Sequence, residues 1–413
     1  MKIAVIVQGR FHAFDLARAL MAEGHEVTVL TNYPVWATKR FGLPPGIIPR
    51  FFGVWAASKS SPWLHRMFGK WAAREIQKSS YDLVHAFTGV AEESIRARST
   101  DTLHFIVRGS AHIRVQDEIL RDEAARCGVP IEHPTPWMIA REQREYEICD
   151  RIVVLSSFAL QSFLQMGVDP AKMICIPLGV DVKRFRADAE AIAARRRRIL
   201  SGEPLRVLYT GNLQFQKGLR DLIQITQTLR TENFRFQLIG TVTPEAKALV
   251  SQFPNTVELV PRQPQNDLPR WYAGADLYIF PTIQDGFAVV LTQASASGLP
   301  ILTTTNCAGP DMVEEGVSGW VLPIRDPEAF VEKLRWCDRN REQLAEMIEL
   351  AHGRFRARDW SDVARGLGAA YTKARQELRP PAMSRDTTLA KNCDIALAKN
   401  GDVTLTKNSE FNG

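Results

Sequence analysis

Paired cysteines and long apolar runs are both scarce in this chain. Its six cysteines (Cys127, Cys149, Cys175, Cys307, Cys337 and Cys393) stand singly, with no C-x-x-C spacing. That excludes a disulfide framework and predicts reduced thiols in a chain long enough to build its own core. No apolar stretch approaches the roughly 20 residues that cross a bilayer, and the N-terminal KIAVIV reads as a strand with no cleavable apolar region before it. The expectation is a protein that is soluble or peripherally bound inside the cell. Charge of one sign is also in short supply: 52 Lys+Arg against 46 Asp+Glu leaves +6, too little to imply nucleic acid as a partner. Nothing reads as a D-x-D motif or a His/Cys cluster, so metal-independent chemistry is expected.

What the chain has is apolar content (45%) and charge (24%) in globular proportion over 413 residues, which suggests two domains. The first 31 residues run KIAVIV, a turn at Gln8-Gly9-Arg10, a helical FDLARALMAEG and then EVTVLT, a β-α-β start. Near-continuous apolar runs of this kind suit parallel strands covered on both faces. Further strands are predicted at 82–87, 104–108, 151–156 and 173–177. The alternation restarts at 205–211 and continues at 234–240, 256–260, 276–281, 300–305 and 319–323, with helices beginning near Lys217, Pro244, Leu268, Phe287 and Pro327. Two doubly wound α/β domains facing a cleft follow, over 1–185 and 186–358. A helix over 359–380 is expected to pack back on the first domain. The run Arg195–Arg198 reads as the solvated end of an interdomain helix rather than a polyanion site.

Residues 381–413 look different. From 386 a period of eight recurs (DTTLAKNC, DIALAKNG, DVTLTKNS), which reads as a flexible tail or a docking motif, with too little apolar surface to fold alone.

Two segments of the second domain carry anion-binding features. GNLQFQKG (211–218) is a strand end, a short loop and a Lys-Gly opening a helix, where backbone N–H groups and the Lys charge attract phosphate. A structural lysine fits this spacing equally well. PTIQDGFAVVLTQASASGLPIL (281–302) places Asp285-Gly286-Phe287 at a helix start, with Gln293 eight residues on. Asp285 could also be no more than an N-cap.

These segments resemble the retaining GT-B glycosyltransferases of family 4, whose signature is proline-Ser/Thr-x-x-Glu-Gly-Phe-Gly with a second Glu eight positions after the first. The resemblance extends over about residues 1–378 in element order. It implies a nucleotide-sugar donor bound by Gly211, Asn212, Lys217, Gly218, Arg262, Asp285, Gly286, Phe287, Ala288 and Gln293, and no resident cofactor. Asp285 stands at the first acid and Gln293 at the second, which holds the ribose in the family. Asn212 replaces a family arginine, leaving Lys217 as the main cation on the diphosphate unless Arg262 substitutes. In the first domain Ser110 and His112 follow the strand HFIVR and project from its carboxyl edge, and His112 resembles a family histidine that supports the donor sugar. Arg10 and His12, in the loop QGRFH, are expected on the acceptor side, and His85 is a third histidine candidate. The implied catalytic set is His112, Asp285 and Lys217, with no carboxylate acting as covalent nucleophile.

Residues 33–78 hold eight bases (Lys39, Arg40, Arg50, Lys59, Arg66, Lys70, Arg74, Lys78) against Glu75, interleaved with Tyr33, Trp36, Phe41, Phe51, Phe52, Trp55, Trp63, Phe68 and Trp71. That composition suits an anionic membrane surface, at the inner face of the cell membrane, or a loop that packs on the acceptor. The predicted activity is sugar transfer with retention to a glycan or lipid-linked acceptor, as in bacterial cell-surface polysaccharide synthesis. The alternatives are a non-catalytic nucleotide-sugar-binding relative and a GT-B-like isomerase or phosphorylase.

Overall fold

The computed structural model describes residues 1–49, 51, 61–181, 183–356 and 358–378. Among these, every predicted strand forms: β1 (Lys2–Val7), β2 (Glu26–Thr31), β3 (Leu83–Phe87), β4 (Leu103–Arg108), β5 (Arg151–Val154), β6 (Met173–Cys175), β7 (Leu205–Thr210), β8 (Phe234–Gly240), β9 (Val257–Pro261), β10 (Leu277–Phe280), β11 (Ile301–Thr304) and β12 (Gly319–Leu322). They assemble as two parallel sheets of six, in the orders β2-β1-β3-β4-β5-β6 and β12-β11-β10-β7-β8-β9. Ile3 to Val7 are fully buried, as an apolar run covered by helices on both faces must be. The strand order reverses between β1 and β3 in the first sheet and between β7 and β10 in the second. Loops leaving the carboxyl ends of those four strands therefore border the crevices where such sheets take ligands.

Three helix starts differ from expectation. The segment after β7 makes a 3-10 turn over Phe215–Lys217 before its helix begins at Leu219. The helix predicted near Phe287 begins at Val289. The segment from Pro244 forms only two 3-10 turns, Pro244–Ala246 and Val250–Gln252. Its periodic Ala246, Leu249, Val250 and Phe253 mimic a helix. The connection is too short for one, because Thr243 is tied to the carbonyl of Leu213 at 3.2 Å and Pro254 closes the other end.

The arginine run also differs. Arg195 is fully buried, donating to the carbonyls of Ser297 (2.8 Å), Gly298 (3.1 Å), Tyr272 (3.0 Å) and Ala273 (3.3 Å). These lie at the carboxyl ends of two helices, Leu268–Gly274 and Val289–Ala296, where orphan carbonyls and the helix dipole favour a cation. Burial pushes its pKa down to about 10. Arg198, one turn on, pairs with Asp276 at 2.5 Å. Arg195 and Arg198 are internal anchors, while Arg197 stays exposed and Arg196 pairs with Glu349 at the surface, so the solvated reading is corrected for the first and last of the four.

Met1–Thr372 is one compact unit that contains both sheets. Within it the last helix, Trp360–Leu378, returns to the first sheet: the Tyr371 hydroxyl meets His85 Nδ1 at 2.7 Å and its ring packs edge-on against Phe105. The second unit, Lys373–Gly413, contributes only the end of that helix to the described residues, and the repeat of the tail lies outside them.

Candidate active site

Lys217 follows β7 and Asp285 follows β10, the two strands flanking the reversal in the second sheet. Gly218 takes a φ of 77°, and a Cβ there would lie 1.9 Å from the carbonyl oxygen of Pro281. Only glycine allows the lysine turn to seat so closely on the strand end. The two loops are knitted further by Gln216, whose carbonyl accepts from Ile283 N (3.0 Å) and Thr282 Oγ1 (3.1 Å). The result is a Lys217 Nζ–Asp285 Oδ2 ion pair of 2.5 Å.

The other oxygen of Asp285 accepts from Phe287 N (3.0 Å) and Ala288 N (2.9 Å). It is therefore a loop cap as well as a charge. Burial alone would raise its pKa, but Lys217 and the two backbone donors outweigh that and hold the carboxyl below the usual range. Ala288 adopts φ 63°, left-handed backbone at the position where the family signature has its second glycine.

The first domain brings a contrasting group. His112 is buried and caps the helix Ile113–Cys127, its Nδ1 accepting from Arg114 N at 3.3 Å. Accepting at Nδ1 places the ring proton on Nε2. Burial, then the Arg108 and Arg114 charges, lower its pKa to about 4, so the ring is neutral at physiological pH. Its loop is held from behind by Arg108, which pairs with Glu142 at 3.1 Å and donates to Ala111 O at 3.2 Å. Tyr146 donates to the same Glu142 at 2.6 Å, and its ring lies tilted against that of His112, 5.1 Å between centroids.

The two loops meet. A Cβ on Gly286 would lie 2.2 Å from the carbonyl oxygen of Gly109, and Ser156 Oγ donates to Gly286 O at 2.7 Å. Ser110 Oγ donates to Gln284 Oε1 at 2.6 Å. Further out, the helix Ile113–Cys127 is fastened to the second domain: Arg126 reaches Asp221 at 2.7 Å, Arg325 reaches Glu123 at 3.0 Å, and Leu120 and Ile131 pack with Phe215. Phe215 opens the same 3-10 turn that ends in Lys217.

Not every predicted residue joins this group. Gln293 is buried and its Oε1 accepts from Tyr272 at 2.9 Å, within a network through Thr210 to Tyr278. Arg262 is exposed beyond β9, two strands from β7. Gly211 has φ 148° and packs on Gly240, while Asn212 is exposed and uses its carbonyl to accept from Tyr209. On the first sheet, Arg10 lies over the Phe41 ring at 4.4 Å, and His12 packs against Phe87 and Trp360 with burial lowering its pKa to about 4. His85 is buried, with its pKa lowered to about 3 by burial and by His12.

Gln284 was not legible as a contact residue. It sits beside Asp285 in the sequence, but only the geometry aims it at Ser110. Within 33–78, Trp36 and Trp63 are 74% and 64% exposed, with Arg40 over Trp36 and Arg66 over Trp137, whereas Phe68 is buried and Trp71 packs on Phe51. Arg50, Phe52, Trp55 and Lys59 lie outside the described residues. Among the described residues no helix is long and apolar enough to cross a membrane.

Comparison with known proteins gives a consistent picture. Residues 204–340 match the model of the group 1 glycosyl transferases and residues 10–184 that of glycosyltransferase family 4. WcaL of Salmonella typhimurium, described as a colanic acid biosynthesis glycosyltransferase, is 23% identical over 352 residues, 76% of this chain and 84% of its own. Sucrose-phosphate synthase from Thermosynechococcus elongatus superposes with a TM-score of 0.72 at 18% identity, covering 90% of this chain and 98% of its own. HepE of Anabaena, solved in complex with UDP, superposes at 0.66 and 16% identity, covering 90% and 100%. The architecture of the two sheets is the GT-B fold.

Proposed function

The chain belongs to the group 1, family 4 glycosyltransferases, and from that premise we propose that it moves a sugar, with retention, from a nucleoside-diphosphate donor to a glycan or lipid-linked acceptor in bacterial surface-polysaccharide synthesis. The observation that carries the reading is the meeting of Gly286 with Gly109 and Ser110. It supports a reading in which a cation–carboxylate pair from one sheet and a neutral imidazole from the other act on a single substrate.

Lys217 is the counter-charge for the departing diphosphate, and the amides that open its helix add oriented dipoles. To serve, it must exchange Asp285 for phosphate, which frees an Asp285 oxygen to accept from the donor sugar. His112 presents Nε2–H to a sugar hydroxyl on the other side. The C1–O bond to the diphosphate breaks through an oxocarbenium-like state. The acceptor oxygen bonds to C1 from the same face, and its proton passes to the leaving phosphate. No protein carboxylate forms a covalent intermediate in this scheme, and no metal is assigned a role in it.

HepE and its UDP make uracil the first base to try. Exposed Trp36, with Arg40 over it, and exposed Trp63 support a cytoplasmic enzyme resting on an anionic membrane. The deciding experiment measures release of free nucleoside diphosphate from UDP-, GDP- and ADP-sugars with and without candidate acceptors. Acceptor-dependent release is expected for one base. Saturable nucleotide binding with no turnover on any acceptor would favour a non-catalytic relative instead.

A further inference from the structure

Phe11 is the one bulky aromatic among three non-glycine residues at positive φ in the described chain, at 41°. It is also 61% exposed. Both features are unfavourable for a phenylalanine: the first strains the backbone and the second leaves an apolar ring in water. The loop around it is pinned, so the conformation is imposed. Gly9 N donates to Asn32 Oδ1 at 2.6 Å, Thr31 Oγ1 donates to Gly9 O at 2.6 Å, and Ala13 N donates to Arg10 O at 3.2 Å. The pinned loop holds the Phe11 ring nearly parallel to Phe87, with planes 22° apart and centroids 5.8 Å apart. Phe87 itself is buried and carries His12 at 4.8 Å.

This stack stands where β1 and β3 end, beside the reversal of the first sheet and on the same edge that supplies His112. We propose that Phe11 is an aromatic wall on which a pyranose ring of the acceptor lies, apolar face to ring, with the polar side chains of Arg10, now over Phe41, and His12, against Phe87, as its immediate neighbours in the chain. An aromatic face flanked by polar donors suits a sugar, which is apolar on its faces and polar at its edge. An acyl chain would not use the donors. The inference rests on the transferase reading, and narrows its acceptor to one whose reacting end is a sugar rather than a simple alcohol.

Saturation-transfer NMR on the full chain tests this without requiring turnover. The probes are methyl β-D-glucopyranoside, methyl β-D-galactopyranoside and methyl α-D-mannopyranoside at millimolar concentration. Transfer to the ring protons of at least one is expected, weakened about tenfold in affinity by Phe11→Ala and by Phe11→Leu, and kept by Phe11→Trp. The leucine variant is decisive, because a membrane contact needs apolar bulk and not a flat ring. No transfer to any probe in the wild type, undiminished transfer in Phe11→Ala, or Phe11→Leu behaving as wild type would overturn the proposal. Loss of binding to phosphatidylglycerol vesicles in Phe11→Ala, with sugar signals unchanged, would reassign the ring to the membrane. Thermal melting confirms that each variant folds, and the Leu/Trp pair carries the test alone if the alanine variant does not. Failure of the transferase reading is separate, appearing as no stabilisation by any nucleoside diphosphate.

Discussion

The two edges that face each other across the crevice are built from opposite electrostatic materials. The second sheet offers charge in a matched pair, Lys217 and Asp285 at 2.5 Å. The first offers two histidines, His12 and His112, each pushed by burial well below the ordinary imidazole range. A charge that must serve a diphosphate can wait on a partner it later exchanges. A donor that must serve a sugar hydroxyl works best as a neutral N–H, because a permanent positive charge there would oppose the positive character that develops on the sugar as the bond breaks. In the proposed scheme, that division of labour follows from which strand each residue's loop leaves.

Breaking the charged side should have the largest effect. Lys217→Ala removes the diphosphate contact and strands Asp285, so kcat/KM should fall about 10- to 100-fold, from roughly 1.5–3 kcal/mol for a charge-assisted contact. Steady-state kinetics within about threefold of wild type would remove Lys217 from the mechanism. On the neutral side, His112→Ala should lower kcat by about tenfold or more with a smaller change in donor KM, and His112→Gln, whose amide can stand near Nε2, should recover part of it.

The contrast also predicts the response to acid. His112 protonates near pH 6.5 in the unfolded chain and near 4 when folded. The unfolded state therefore binds more protons between those values, and stability falls as pH drops from about 6.5 to 4, by ~3 kcal/mol for this residue taken alone. Asp285 is also shifted down, but because its charged form is favoured by Lys217 and two backbone donors, so its contribution is lost only as pH falls below the ordinary carboxylate range. Melting temperatures across pH 7 to 4 should decline, with a shallower slope in His112→Gln; equal slopes would show that the ring is not held neutral. The smallest effect has a counterintuitive sign. Asp285→Asn should bind UDP or inorganic pyrophosphate a few-fold more tightly, since the amide no longer holds Lys217, while transfer falls. Weaker binding, read by calorimetry, would mean that the pair does not compete with phosphate.

Much of this was legible in the sequence. The strands were readable because each is a short apolar run ended by glycine, proline or a polar turn, and because parallel strands bury both faces. The strand-glycine-helix junctions put Lys217 and Asp285 at the carboxyl edge, but a structural lysine and a plain N-cap fitted as well, and only the family resemblance pointed to roles for them. Their mutual pairing was not legible, since it depends on Gly218 seating against Pro281 across 63 residues of chain. Arg195 was misread for a related reason: four successive arginines look uniformly solvated, yet a helical turn sends Arg195 and Arg198 inward. The segment from Pro244 had a helix's periodicity but not the length of connection a helix needs. Phe11 and Gln284 carried no motif at all, and their meaning lies in a backbone angle and a side-chain direction.

Gln284 has one further consequence. Its Oε1 accepts from Ser110 Oγ at 2.6 Å and its backbone carbonyl accepts from Gln216 Nε2 at 3.2 Å. One residue therefore joins the loop ahead of His112 to the turn that carries Lys217, and a displacement of either neighbour is passed to the other through a single side chain and its own peptide.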